Sequence, residues 1–252
     1  MPFVSIIVVT YQAEKFVART LESIERQIDK GFELVVIDGN SNDQTMPILR
    51  KYKYLIDILV SEPDKGIYDA MNKGIRLANG RFLWFINAGD EIADEHTLGN
   101  IHSACLAETD LIYGDALLVN SEGVARGTRS ALTPHKLHEN IDWRALKYGM
   151  LVCHQSLLVS KEIAPNYMLN NLSADLDWEI NSFKRADSPL YLSFSLSKYL
   201  EGGISNQRLG RSLWDRFKVL HSHFGLWENL KSHGHILFRG LKLIASNRGK
   251  YW

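Results

Sequence analysis

Residues 33–45 read Glu-Leu-Val-Val-Ile-Asp-Gly-Asn-Ser-Asn-Asp-Gln-Thr, an apolar run that ends abruptly in small and polar residues. A short β-branched run of this kind predicts a strand that is covered on both faces. The run Val4–Thr10 has the same character. Between the two runs, apolar residues at spacings of four, three and four predict an amphipathic helix from Val17 to Ile28. Strand, helix and strand in this order are typical of a parallel βαβ unit.

The same alternation continues along the chain as far as residue 86. The pattern predicts helices at Met46–Tyr54 and Tyr68–Asn79, and strands at Asp57–Ser61 and Arg81–Ile86. The sequence therefore predicts an α/β fold with a mostly parallel central sheet flanked by helices. The second half is less regular, with predicted strands at 111–119, 157–160 and 190–194 and a short helix at 176–185.

Polar residues follow four of the predicted strands at the point where each strand ends. In open α/β sheets, ligands bind beyond the carboxyl ends of the strands. Carboxylates there suit the base and ribose of a nucleotide, and one more carboxylate can hold the divalent cation that binds its phosphates. Acidic residues at strand ends also cap helices, and Asp43 fits either role. The polar segments are Thr10-Tyr11, Asp38–Asp43, Glu62–Lys65 and Asn87–Asp90.

Composition narrows the class of protein. The hydrophobic share of 45% and charged share of 23% are ordinary for a globular chain. The two cysteines, Cys105 and Cys153, match no disulfide framework or zinc pattern, which favours a reducing compartment. The opening residues Met1–Ser5 lack a charged leader, and no apolar run reaches about 18 residues. We therefore expect a cytoplasmic protein that does not cross a membrane.

Charge is distributed unevenly although the net charge is zero. Residues 206–252 carry nine Lys or Arg and two acidic residues, which leaves the first 205 residues acidic. Two helical stretches in this segment place Leu213, Trp214 and Phe217, and then Ile236 and Leu241, beside basic residues. Basic amphipathic helices with tryptophan suit an anionic membrane surface, although the same faces could pack on the preceding domain. The basic charge is confined to this tail and no recognition motif accompanies it, which disfavours nucleic acid as a partner.

Six motifs in order resemble the family 2 glycosyltransferases of the GT-A fold, and in particular the branch of colanic acid and O-antigen assembly. The first two are Val4–Tyr11 and Val36–Thr45, and the third and fourth are Ser61–Gly74 and Asn79–Asp90. The remaining ones lie in the second half: Cys153-His-Gln-Ser156 with Ser173-Ala-Asp175, and Glu201-Gly-Gly-Ile-Ser205. The resemblance implies a GT-A domain over residues 1–205 with a basic amphipathic helical tail over 206–252. It also implies inverting transfer of a sugar from a nucleotide-diphosphate sugar to a polyprenyl-diphosphate-linked glycan on the inner face of the cytoplasmic membrane.

Residue roles follow from the resemblance. Asp175 matches the catalytic base of inverting members, with Asp177 as a rival on another side of the same helix. Asp90 matches the metal residue and would hold Mg²⁺ or Mn²⁺, although relatives carry more carboxylates there. Asp38 would accept a hydrogen bond from the base. Asp64 and Asp69 would contact sugar hydroxyls or shape their loop. The donor-binding set implied is Thr10, Tyr11, Asp38, Asp64, Asp69, Asn87, Ala88, Gly89, His154 and Gln155.

Two alternatives remain open at this point. A non-catalytic nucleotide-sugar-binding homologue would retain the pocket, and the single Asp90 leaves that possibility standing. A sugar nucleotidyltransferase would carry a glycine-rich basic loop in the first strand–helix turn. The turn Thr10–Glu14 has no glycine, which counts against it.

Overall fold

A computed structural model of the chain describes the backbone of residues 1–202 and 209–246, with side chains except at 209, 237 and 239–246. The strands are β1 (Val4–Thr10), β2 (Phe32–Asp38), β3 (Ile58–Ser61), β4 (Phe82–Phe85), β5 (Glu91–Ile92), β6 (Leu111–Val119), β7 (Ala125–Thr128), β8 (Leu157–Ser160) and β9 (Pro189–Leu200). The helices are α1 (Val17–Glu25), α2 (Thr45–Lys51), α3 (Ile67–Leu77), α4 (Thr97–Ala104), α5 (Arg129–Leu132), α6 (Ala174–Arg185) and α7 (Leu209–Ser246). Two 3₁₀ helices cover Trp143–Tyr148 and His154–Ser156.

The strands form one sheet in the order β3-β2-β1-β4-β8-β6-β9-β5, with β7 paired to the free end of β6. Strands β3, β2, β1 and β4 are parallel, and β6 and β9 run in the same direction. Strands β5, β7 and β8 are antiparallel to their neighbours. The prediction of a mostly parallel sheet flanked by helices is confirmed. Thr10 and Asp38 are register partners, so the ends of β1 and β2 lie side by side.

Both faces of the sheet are covered, which explains the continuous apolar runs. Along β1, Ile7 and Val9 pack in the cluster on one face, while Ile6 and Val8 pack in the cluster on the other. All seven residues of β1 are buried. Burying one such side chain fully stabilises the fold by about 1.5–3 kcal/mol. The apolar residues on both faces of the sheet contribute this stabilisation only because helices cover both faces.

The predicted elements of the first half occur within a few residues of their predicted ends. The main differences lie in the second half: β9 continues to Leu200 instead of ending at 194, and α4, β5 and β7 were not predicted. Strand β5 has two residues and β7 has four, so neither shows a usable period. Helix α4 has eight residues and only a weak apolar face, which explains why it was missed.

Helix α7 belongs in part to the folded domain. Its first segment buries Val219 and Leu220 completely and packs against α6 and the 3₁₀ helix at 143–148. Gly225 has a φ of 79° and interrupts the helix. Asn229 donates to the Phe217 carbonyl at 2.9 Å, which brings the second segment back against the first.

The predicted packing of an apolar face on the preceding domain therefore holds for the first segment of α7. The predicted boundary between residues 205 and 206 lies outside the described residues, as do the side chains of Leu237, Leu241 and Ile244. Among the described residues, no helix combines the length and apolarity that a membrane span requires.

Candidate active site

The Asp38 carboxylate links the C-terminal ends of the parallel strands β1, β2 and β3 through hydrogen bonds. One oxygen accepts hydrogen bonds from the hydroxyls of Thr10 at 3.0 Å and Ser41 at 2.6 Å. The other accepts from the Ser41 backbone N–H at 2.9 Å and the Ser61 hydroxyl at 2.7 Å. Four donors fill the acceptor positions of a carboxylate. Because Asp38 is also fully buried, a nucleotide base could reach it only by replacing one of these donors.

Next to Asp38, an aromatic ring and a second carboxylate approach the backbone of Gly39. The Tyr11 side chain is 64% exposed. A Cβ atom on Gly39 would lie 2.5 Å from Asp64 Oδ2 and 3.3 Å from Tyr11 Cδ2, so the absence of a side chain at Gly39 is what allows Asp64 and Tyr11 to come this close. The other oxygen of Asp64 accepts from the Gly66 N–H at 2.8 Å. The exposed ring of Tyr11 and one oxygen of Asp64 therefore lie next to each other beside Gly39, where both could contact a flat, polar ligand.

Asp69 lies in the first turn of α3, directly after this loop, and its contacts are local. Its carboxylate accepts from the Lys65 N–H at 3.0 Å, and the Lys73 ammonium lies 3.9 Å away. Lys73 makes a shorter contact of 2.9 Å with Glu62. The interpretation of Asp69 as part of the loop architecture agrees with these contacts.

Residues 87–90 form a tight turn after β4. Gly89 has a φ of 107°, and its N–H binds the Thr20 hydroxyl at 2.9 Å. The Asp90 N–H donates to the Asn87 carbonyl at 2.9 Å, and Ala88 forms an isolated bridge with Asp90. The turn directs the Asp90 side chain inward, where it is 5% exposed.

The two oxygens of Asp90 have separate partners. Oδ1 accepts from the Leu200 N–H at 2.9 Å and Oδ2 from the Gln155 side-chain amide at 2.8 Å. Burial raises the pKa of Asp90 to about 7, the two donors lower it, and the charge of Glu91 raises it. Gln155 therefore holds the predicted metal residue in place.

A divalent cation fits this turn only with help from its ligand. Asn87 Oδ1 is buried and has no partner among the described residues, so the turn offers one free amide oxygen as well as the Asp90 carboxylate. Hard cations such as Mg²⁺ prefer oxygen ligands and are commonly held by one or two carboxylates with substrate phosphates. Across the described residues no group of three or more His, Cys, Asp or Glu side chains could hold a metal ion. The residues fit a cation that takes its remaining ligands from phosphate and water.

His154 belongs to an aromatic cluster. Its Nε2 lies 2.6 Å from the Tyr167 hydroxyl, and its ring is 5.4 Å from Phe85 and 5.6 Å from Trp178. Burial lowers the pKa of His154 to about 4, so the ring is neutral at physiological pH. These contacts favour the structural interpretation of His154, whereas Gln155 contacts the site directly through Asp90.

Asp175 and Asp177 lie in the first turn of α6 and point in different directions. Asp177 pairs with His223 of α7 at 2.7 Å and accepts from the Asn181 amide at 3.1 Å. Asp175 is half-buried and interacts with the Tyr68 hydroxyl and the charge of Arg216. Burial raises the pKa of Asp175, against the lowering effect of the Leu176 N–H and of Arg216. Of the two, only Asp175 is left without a strong ion-pair partner among the described residues.

The half-buried Tyr199 hydroxyl is influenced by the charges of both Asp175 and Asp90. Burial raises the pKa of its hydroxyl, and the charges of Cys153, Asp90 and Asp175 raise it further. The predicted base and the predicted metal residue therefore lie within electrostatic reach of one hydroxyl. Tyr199 was missed in the sequence, although it stands two residues before the Glu201-Gly202 motif.

Two further charged residues of the site were also missed. Glu179 is 2% exposed, accepts from the Val152 N–H at 2.9 Å and carries a second oxygen without a described partner. Burial raises the pKa of Glu179 to about 8, and Arg129 lowers it. Arg129 donates to the carbonyls of Leu151 at 2.6 Å and Met150 at 2.7 Å. Glu179 stands four residues after Asp175 and so shares its helix face, which is the one sequence signal that could have found it.

Comparisons with known proteins point to one family. The family Glycosyl transferase family 2 matches residues 5–164. A PGL/p-HBAD biosynthesis glycosyltransferase of Mycobacterium tuberculosis is 30% identical over 230 residues, which cover 86% of this chain and 85% of the relative. Poly(ribitol-phosphate) beta-N-acetylglucosaminyltransferase TarS of Staphylococcus aureus is 34% identical over 125 residues, or 48% of this chain and 21% of TarS.

Solved structures show the same fold at low identity. TarS 1–349 of S. aureus in complex with UDP-GlcNAc superposes with a TM-score of 0.71 at 18% identity, covering 96% of this chain and 73% of that one. The mannosyltransferase PcManGT of Pyrobaculum calidifontis, in complex with GDP-Man and Mn²⁺, gives a TM-score of 0.59 at 16% identity over 98% of this chain and 79% of that one. The fold is thus of the GT-A type, and by its match over more than half of its length the chain belongs to glycosyl transferase family 2.

Proposed function

We propose that this protein transfers a sugar from a nucleotide-diphosphate sugar to a hydroxyl of a lipid-linked glycan, with inversion, in the assembly of a bacterial surface polysaccharide such as O-antigen or colanic acid. The observation that carries the proposal is the position of Asp175: a half-buried carboxylate without a strong ion-pair partner among the described residues, grouped with Asp90 around Tyr199. Relatives named for PGL/p-HBAD biosynthesis and for poly(ribitol-phosphate) glycosylation support a surface-glycan role.

The donor base would bind beside Gly39, against the exposed ring of Tyr11. Tyr11 is exposed enough to stack on a base, and Asp64 Oδ2 faces the same space as a hydrogen-bond acceptor. We assign Asp64 to the base edge in place of Asp38. Asp38 and Thr10 then act without touching the base: their hydrogen bonds fix the strand ends that carry Tyr11 and Gly39.

Asp175 would act as the general base. Its carboxylate takes the proton of the acceptor hydroxyl while that oxygen bonds to the anomeric carbon, and the bond from this carbon to the diphosphate oxygen breaks on the opposite face. Burial helps because it raises the pKa of Asp175 toward the working pH, where a base is most effective. The Tyr68 hydroxyl and Arg216 keep the carboxylate ionised and oriented.

Asp90 and Asn87 would hold Mg²⁺ or Mn²⁺. The cation, when bound, supplies positive charge to the departing diphosphate. Gln155 and the Leu200 N–H keep Asp90 in a fixed rotamer before any cation arrives. The complexes of PcManGT and of glucosyl-3-phosphoglycerate synthase with Mn²⁺ support this assignment by analogy of fold.

The exposed side chains of α7 support a peripheral position on the inner face of the cytoplasmic membrane. Leu226, Trp227 and Phe238 are 46%, 78% and 68% exposed, and basic residues accompany them. Aromatic and basic side chains on one helix surface favour binding to anionic lipid.

The experiment is a donor panel of UDP-, GDP- and dTDP-sugars with Mg²⁺, Mn²⁺ or EDTA, measured for binding and turnover. The wild type is compared with Asp175→Asn and with the matched control Asp177→Asn. Binding retained and turnover lost only in Asp175→Asn supports an inverting enzyme with this base. Binding without turnover in the wild type, for every donor and acceptor, would support the non-catalytic homologue instead. If no nucleotide sugar binds, the proposal is wrong.

A further inference from the structure

The segment Met150–Val152 is held by side chains instead of by a helix or a strand. It lies between the two 3₁₀ helices, outside regular secondary structure. Arg129 donates to the carbonyls of residues 150 and 151 at 2.7 Å and 2.6 Å, and the Val152 N–H donates to Glu179 at 2.9 Å. Buried backbone groups outside helices and sheets need partners of this kind. The two side chains therefore fix the course of the backbone in this segment.

A chain of hydrogen bonds continues from this segment to Asp90. Cys153 follows Val152 directly, and its thiol donates to Gln155 Oε1 at 3.2 Å. The Gln155 amide nitrogen donates in turn to Asp90 Oδ2 at 2.8 Å. Because the thiol binds the amide oxygen, the amide turns its nitrogen toward Asp90, where a donor suits a carboxylate.

Glu179 belongs to the helix that carries the proposed base. It follows Asp175 by four residues on α6, so the two carboxyl groups share one face of the helix. Glu179 is 2% exposed, and one of its oxygens has no partner among the described residues. Burying a carboxyl group in this way is costly. The hydrogen bonds that offset the cost come from the backbone of residues 151 and 152, so Glu179 ties α6 to this segment.

We propose that Glu179 is a positioning residue that links the base helix to the metal residue, acting on Asp90 through residues 151–155. The inference rests on the proposed function, because it takes Asp175 as the base and Asp90 as the residue that holds the cation. In the proposed transfer, the acceptor hydroxyl at Asp175 must meet the anomeric carbon in line with the departing diphosphate oxygen. Misplacement of reacting groups by about 1 Å can lower the rate about 100-fold. A connected set of hydrogen bonds from α6 to Asp90 fixes the separation of the two carboxylates.

A second contact limits how far the segment can move when Glu179 is removed. The Trp84 indole donates to the Gln155 carbonyl at 2.8 Å. Loss of Glu179 should therefore displace the Gln155 side chain without releasing the segment. Residues that orient a metal ligand typically change metal affinity about 10–100-fold when they are removed. We expect Gln155→Ala, which removes the direct contact with Asp90, to fall in this range and Glu179→Ala to fall at its lower limit.

The test measures Mn²⁺ binding to the full chain with saturating UDP, from the electron paramagnetic resonance signal of free Mn²⁺. Glu179→Ala should weaken Mn²⁺ binding about tenfold. The double variant with Gln155→Ala should bind Mn²⁺ as weakly as Gln155→Ala alone, because Glu179 acts through Gln155. Glu179→Gln keeps an oxygen for the Val152 N–H and should restore most of the affinity.

Cys153 offers an independent way to break the same chain. Cys153→Ala removes the donor to Gln155 Oε1 and should also weaken Mn²⁺ binding. Cys153→Ser keeps a donor and should bind Mn²⁺ more tightly than Cys153→Ala. Ile180→Val is the control for a loss of stability, since it removes one buried methyl group from α6 next to Glu179, and it should leave Mn²⁺ affinity unchanged. UDP binding without metal, measured on each variant, shows that it is folded.

The outcomes separate this inference from the proposed function. Unchanged Mn²⁺ affinity in Glu179→Ala, or losses in Glu179→Ala and Gln155→Ala that add in the double variant, would overturn the inference and leave the proposed function in place. An equal loss of affinity in Ile180→Val would show that Glu179 only stabilises the fold. If the wild type and Asp90→Asn bind Mn²⁺ equally with UDP present, the metal assignment is wrong and the inference fails with it.

Discussion

Asp90→Asn tests whether the site holds a buried, protonated carboxyl. The Asp90 side chain is 5% exposed and accepts two hydrogen bonds, from Leu200 and Gln155. None of the described Lys, Arg or His side chains forms an ion pair with it. Burial raises its pKa from 3.8 to about 7. Because the folded pKa is the higher one, the folded chain binds the proton more tightly, and this contribution to stability is lost as pH rises through 7.

The size of the effect follows from the shift. At pH 5 the carboxyl is protonated in the folded chain, two units below its folded pKa, and ionised in the unfolded chain. Each unit is worth about 1.36 kcal/mol, so the wild type loses about 2.7 kcal/mol of unfolding free energy from Asp90 between pH 5 and pH 8.5. Asp90→Asn cannot ionise, and its stability relative to the wild type should rise by that amount over the same interval.

Urea unfolding of both proteins in EDTA at pH 5, 6, 7 and 8.5 measures this difference, and equal m values establish that the comparison is valid. Asp94→Asn, at an exposed carboxylate close in sequence, is the control for removing one negative charge from this part of the chain. A gap between the wild type and Asp90→Asn that stays constant with pH would refute the argument, because Asp90 would then be ionised throughout. A proton held to pH 7 also competes with a cation, so Mn²⁺ binding in the presence of UDP should strengthen from pH 6 to pH 8.

Asp175→Asn should lower kcat by about 10²–10⁴ with little change in donor affinity, as removal of a general base does; a normal kcat in steady-state assays would remove Asp175 from this role. Asp177→Asn should keep most activity and cost about 1 kcal/mol of stability in urea unfolding, because it weakens the contact with His223. Asp64→Ala should weaken UDP binding by calorimetry about tenfold, the value of one lost charged hydrogen bond, and an unchanged Kd would return the base contact to Asp38. Gly39→Ala should weaken UDP binding in the same titration, since its Cβ would lie 2.5 Å from Asp64 Oδ2 and displace this carboxylate.

The sequence predicted the parts of the fold that depend on local periodicity. Strands β1 and β2 are buried on both faces, so their residues show an uninterrupted apolar run with polar ends, and these ends do meet in space. The strand-end reasoning also marked Asp90, whereas Asp175 came from the resemblance to the family; both carboxylates influence the Tyr199 hydroxyl in the structure. Short elements such as β5 gave no period to detect.

The separate contacts of the site residues depend on segments that are distant in sequence, and no local sequence pattern contains this information. Asp38 is predicted to accept from the base, and the structure adds that residue 41, in the loop after β2, and residue 61, at the end of β3, donate to its oxygens. Asp177 was separated from Asp175 only by a partner 46 residues away on α7. Arg129 and Glu179 hold Met150–Val152 between them although they are 50 residues apart in sequence.

The start of α7 supports the helix that bears Asp175, the proposed base, which limits how far this protein can be treated as a catalytic unit plus a detachable tail. Leu220 and Val219 are buried in the core, and the Asp215 carboxylate accepts a hydrogen bond from the Leu172 N–H, just before α6. A chain shortened before Leu209 to improve handling would lose these contacts and, with them, the placement of Asp175. Exchanging C-terminal segments between relatives would likewise transplant part of the active site, so hybrids should be joined after Gly225, where the helix is already interrupted.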